Sequence, residues 1–94
     1  MGTYFFFGCY SQNALKEISA KRTEKAGEMF KKFGGQVKSI YALLGEHDLV
    51  IVAEVPGTEA AIQISMSLQK LTGISFRTAP ALPVEQFDKL AAQV

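Results

Sequence analysis

The sequence predicts an α+β fold: a four-stranded antiparallel sheet in ferredoxin-like β-α-β-β-α-β order, followed by a C-terminal helix. Three observations carry this. Residues 36–55, QVKSIYALLGEHDLVIVAEV, read as a β-hairpin, two apolar runs joined by a short turn around Gly45. A helix-periodic stretch lies on each side of that hairpin. Outside each helix lies a strand-like run, residues 3–10 and 74–80. The 94 residues, 48% of them hydrophobic, suit one domain spanning 1–94.

The first strand is TYFFFGCY. Alternation puts Tyr4, Phe6 and Tyr10 on one side and Phe5, Phe7 and Cys9 on the other. Both sides are apolar or aromatic, so both are expected to be buried. Gly8 leaves room for a close neighbour. Residues 11–18 open on cap-type Ser11 and Asn13 and read as a loop with one helical turn. From Ser19 a longer helix follows, with Ala26, Met29, Phe30 and Phe33 at helical spacing and lysines in its last turn; Gly34-Gly35 ends it.

In the hairpin's first strand, Ile40, Ala42 and Leu44 share one side, and Ser39, Tyr41 and Leu43 the other. In its second strand, Leu49, Ile51 and Ala53 oppose Asp48, Val50, Val52 and Glu54. A loop of three or four residues is expected between them. After Pro56-Gly57, Thr58 is the expected N-cap of a helix running to Leu71, with Ala61, Ile64, Leu68 and Leu71 as its core stripe. In the last strand, Ile74, Phe76 and Thr78 share a face opposite Ser75, Arg77 and Ala79. A terminal helix from Pro83 to Ala92 carries Val84, Phe87, Leu90 and Ala91.

Right-handed crossovers place both long helices on one face of such a sheet. The other face is expected to carry Tyr4, Phe6, Tyr10, Tyr41, Leu43, Val50 and Val52. A face that apolar implies a homodimer with the two sheets packed against each other, a dimeric α/β barrel. Ile62 and Met66 lie off the helical core stripe and offer a patch for assembly beyond two.

Net charge is +1 with both signs interspersed, which argues against a nucleic-acid or membrane partner chosen by bulk charge. Cys9 is the one cysteine, so no internal disulfide forms; this fits a cytoplasmic protein. The N-terminus shows no signal-peptide pattern, and no apolar run approaches the roughly 20 residues that span a bilayer.

The mixed sheet face holds the chemistry. Tyr4, Ser39, Tyr41, Glu54 and Arg77 form the expected ligand-binding set, in a small cleft for a small organic metabolite. Arg77 would hold an anionic or carbonyl group. Glu54 and Arg77 are also the expected ion pair, since buried charges need partners. His47, the one histidine, is the candidate acid–base group, with Asp48 or Glu46 nearby, although alternation points Asp48 away from it; Asp48 and Tyr41 are the further catalytic candidates. A second reading is therefore a cofactor-free monooxygenase- or isomerase-type enzyme. In it His47 is the base, and Tyr41 or Arg77 holds an enolate. A third is a structural oligomerisation module. One His and one Cys lack any ligand spacing for a metal, no glycine-rich phosphate loop is present, and no cofactor is expected. Cys9 reads as a buried, inert thiol.

Several stretches together resemble the GYD-domain family, small bacterial and archaeal proteins of the dimeric α/β-barrel superfamily. They are Tyr4 to Tyr10, Gly34-Gly35-Gln36-Val37, Tyr41 to Gly45, Asp48-Leu49-Val50, Glu54-Val55-Pro56 and Arg77-Thr78. The family's glycine–tyrosine–aspartate signature falls at Gly45 and Asp48, and His47 stands where tyrosine is usual. The resemblance implies the barrel fold. The superfamily spans cofactor-free monooxygenases, haem enzymes, ligand-binding domains of regulators and stress proteins, so it does not select an activity.

Overall fold

A computed structural model describes residues 1–94 and realises the expected order. Its elements are β1 (Gly2–Cys9), α1 (Gln12–Lys16), α2 (Ala20–Lys32), β2 (Gln36–Ala42), β3 (Leu49–Val55), α3 (Thr58–Thr72), β4 (Ser75–Ala81) and α4 (Val84–Ala91). All strand pairs are antiparallel, in the order β2-β3-β1-β4. The two most apolar strands are central, and β2 and β4 form the edges. A bulge between Val37 and Ser39 interrupts the β2–β3 ladder.

Caps set the helix ends. Ser11 accepts the Ala14 N–H at 3.0 Å and starts α1; Ser19 accepts the Arg22 N–H at 3.1 Å and starts α2. Helix α3 begins one residue earlier than expected. Gly57 occupies its N-cap position without a side-chain bond, and Thr58 is the first helical residue. Gly73 ends the helix at φ +74°. A Cβ there would be strained and would lie 3.3 Å from the Ser11 hydroxyl. Gly73→Ala should therefore cost about 1–2 kcal/mol, read from the midpoint of urea unfolding.

Helices α2 and α3 cover one face. Phe6, Phe30, Ile64, Leu68 and Val55 are its largest fully buried side chains. Phe6 stands edge-on to Phe30 at 5.0 Å and to Phe76 at 6.4 Å. In α3 the buried residues are Ala61, Ile64, Leu68 and Thr72, whereas Leu71 is 42% exposed. The expected stripe thus shifts by one position at its end. Thr72 satisfies its hydroxyl locally, donating to the Leu68 carbonyl at 2.7 Å and accepting from the Ile74 N–H at 3.1 Å.

One expectation is reversed. The two side-chain groups of the first strand are as alternation predicts, but they occupy opposite faces from those expected. Tyr4 and Phe6 pair with Ala53 and Ile51 and lie under the helices, and Tyr10 packs against the same core. Phe5 and Phe7 pair with Val52 and Val50 on the uncovered face, and Cys9 shares their parity. The reason is space. Gly8 has the parity of Phe6, and a Cβ on it would lie 2.5 Å from Leu49, 2.9 Å from Phe76 and 3.0 Å from Ile74. The side packed that tightly onto the strand is the helical side.

The hairpin loop is also longer than expected, running from Leu43 to Asp48, with Gly45 at φ +131°. Asp48 closes it. Its carbonyl accepts the Leu43 N–H, its own N–H donates to the Gly8 carbonyl, and its carboxylate accepts the Tyr10 N–H, each at 2.8 Å. Helix α4 has no buried residue; Val84, Phe87 and Leu90 stand 70%, 62% and 52% exposed. No helix is long and apolar enough to cross a membrane.

Candidate functional site on the open sheet face

The face left bare by α2 and α3 is built by alternation from all four strands. Down its centre run Phe5 and Phe7 of β1 (ring centroids 6.1 Å apart) beside Val50 and Val52 of β3. The edge strands add Ser39 and Tyr41 on one side and Ser75, Arg77 and Ala79 on the other. Phe5, Phe7 and Val52 are half-buried, and no helix of this chain covers them.

Of the five expected ligand-binding residues, four share this face: Ser39, Tyr41, Glu54 and Arg77. Tyr4 does not. It is buried beneath α3, its hydroxyl 3.4 Å from that of Thr58. Tyr41 is 61% exposed on its edge strand, opposite Val50.

The expected Glu54–Arg77 pair is not made within the chain. Glu54 lies level with Thr3 and Arg77 level with Phe7. Four residues along a strand separate them by about 13 Å. Glu54 instead accepts a hydrogen bond from the Thr3 hydroxyl. The face therefore carries an acid at one end and a base at the other, with phenylalanine and valine between.

His47 belongs to the basic end. Its ring lies over Phe7 at 5.0 Å, tilted by 33°, and its Nδ1 is 3.7 Å from the Cys9 sulfur. Cys9 is half-buried on the open face rather than enclosed in the core. Its sulfur also lies 3.7 Å from the Glu46 carbonyl. Asp48, a second catalytic candidate, is engaged elsewhere, as alternation predicts; its carboxylate accepts the Tyr10 N–H, pinning the hairpin loop to the end of β1. The neighbourhood of Cys9 and His47 escaped the sequence reading because the two are 38 positions apart and come together only through the β1–β3 register.

A family comparison matches the chain to the GYD domain over residues 4–91. No curated protein matches it. Among solved structures, that of the Mycobacterium tuberculosis leucine response regulatory protein LrpA is similar at 15% identity and a TM-score of 0.57, over 87% of this chain and 51% of that one. The crystal structure of a transcriptional regulator is similar at 17% identity and a TM-score of 0.67, over 88% of this chain and 51% of that one. At these identities the likeness is one of fold. The chain spans about half the length of these structures.

Proposed function

The chain belongs to the GYD domain family, and on that premise we propose that it is a homodimeric binding module for a small organic metabolite. In this reading two open sheet faces pack together as a dimeric α/β barrel and enclose a cleft. The observation that carries it is the apolar centre of the open sheet face, where Phe5, Phe7 and Val52 stay only half-buried around a buried Val50, with polar groups confined to its margins. Burying such side chains contributes about 25 cal/mol per Å² of apolar surface, which must outweigh the entropy of association. The exposed stripe of Val84, Phe87 and Leu90 on α4 supports the same reading, because it has no partner within the chain. A ligand in the cleft would meet Ser39, Tyr41, Glu54 and Arg77, with Arg77 suited to a carboxylate or a carbonyl.

Light scattering behind gel filtration at micromolar concentration should give twice the chain mass of 10.3 kDa. A mass of one chain sinks the barrel and its cleft. Thermal-shift screening of carboxylates and phenols tests the ligand, with a raised melting temperature as the expected result. The enzyme reading is favoured by one placement: His47 lies over this same face, where a base could reach a substrate held by Arg77 or Tyr41.

A further inference from the structure

The helical side of the sheet is incompletely filled. Over its later turns α2 packs Met29, Phe30 and Phe33 against the core. Over its first turns it offers Ser19, Thr23 and Ala26, with Arg22 at the edge. No large apolar side chain of α2 fills the space at that end. A cavity of about 130 Å³ remains, and its floor is apolar: Leu49, Ile51, Leu68 and Ile74 are all buried. Ile40 at its rim is 39% exposed for want of a covering side chain.

Arg22 is the one charged residue lining this space, and no acidic side chain does. Its Nη1 donates to the Ala14 carbonyl at 2.6 Å, and its guanidinium lies over the Tyr10 ring at 5.9 Å. Both partners are neutral, so they hold the group in place without answering its charge. A guanidinium has five N–H donors, and one is engaged here. The arrangement is an apolar-floored cavity with an anchored, unanswered cation at its edge.

We propose that this cavity binds a small monocarboxylate with a branched aliphatic or single-ring tail. The tail fills the gap beneath α2, and the carboxylate takes the free edge of Arg22. Size argues for the tail: an apolar cavity of roughly 150 Å³ accepts a benzene-sized guest. A long-chain fatty acid is too large. Charge argues for the head group, because arginine pairs with carboxylate through two parallel, charge-assisted bonds. A free amino acid fits less well, since its ammonium finds no acidic partner in this lining. The site lies on the opposite side of the sheet from the cleft proposed above and does not depend on dimerisation.

The test is an NMR titration of the full chain with 4-methylpentanoate and with its neutral amide. The carboxylate should give saturable shifts at Ile40, Leu68 and Ile74 at millimolar concentration, and the amide should bind about tenfold more weakly or worse. Arg22→Gln should weaken the carboxylate by a similar factor. Ala26→Leu, which fills the space, should raise the melting temperature and abolish the shifts. Equal binding of acid and amide would overturn the proposal, as would unchanged affinity in Arg22→Gln. So would shifts confined to Phe5, Ser39 and Val52, which would assign the ligand to the open face. A wild-type chain that binds neither compound, together with a rise in stability in Ala26→Leu, would overturn the proposal and reduce the cavity to a packing defect.

Discussion

Phe6→Ala should strip the fold of a large share of its stability. Phe6 is fully buried at the middle of a central strand and stands edge-on to rings from α2 and β4. Truncating a buried phenylalanine costs about 3–5 kcal/mol, in lost transfer energy and in the cavity left behind. A domain of this size has a net stability of about 5–15 kcal/mol, so the loss takes a large share of it. Urea unfolding followed by circular dichroism measures it. A cost below about 1 kcal/mol would mean that Phe6 does not lie under the helices, and the face assignment of β1 would have to be reversed.

Val52→Asp should produce a folded monomer. Val52 lies between Phe5 and Ser39 on the bare face, and in an isolated chain its substituent meets water. In the proposed dimer the new carboxylate would be buried against Phe5 and its counterpart without a partner, a cost of several kcal/mol. The expected result is a helix-and-sheet circular dichroism spectrum like the wild type's, with the scattering mass halved. A Val52→Asp protein that still runs as a dimer would show that the association uses another surface. The stripe on α4 is the first to examine. The monomeric variant also isolates the two sides of β1: within it, Phe5→Ala should cost far less than Phe6→Ala.

The order of elements was legible because each has a physical signature that needs no partner. Period-2 runs, period-3.6 stripes, serine caps and glycine stops are local, and nearly every element lies within a residue or two of its expectation. What failed was the choice between two faces that look alike. Tyr4 and Phe6 are no more apolar than Phe5 and Phe7, so alternation sorts them into groups without saying which group faces the helices. Gly8 held that information, as the position where three side chains crowd the backbone. Reading it requires knowing that those side chains come from beneath the helices.

The candidate site divides in the same way. Ser39, Tyr41, Glu54 and Arg77 were placed on one face by parity alone. The Glu54–Arg77 pair failed because parity fixes the side of a sheet and not the level along it. The length of the hairpin loop was underestimated because Leu43 and Leu44 are apolar and read as strand. Asp48 instead closes the loop by bonding Leu43, Gly8 and Tyr10. The cavity under α2 was not foreseen either. Ser19, Thr23 and Ala26 look like ordinary helix residues until the sheet opposite them is known.

The irregularity between Val37 and Ser39 bears on how readily the sheet could be extended edge to edge. A bare greasy sheet with two free margins is a template on which further strands could zip one after another. Here one margin is kinked beside Lys38, and the other, at Pro80, is one amide hydrogen short. An approaching strand would meet a bend on one side and a gap in the ladder on the other. In the proposed dimer, association is thereby steered from sideways polymerisation, which has no natural end, to stacking of the broad surfaces, which two copies complete.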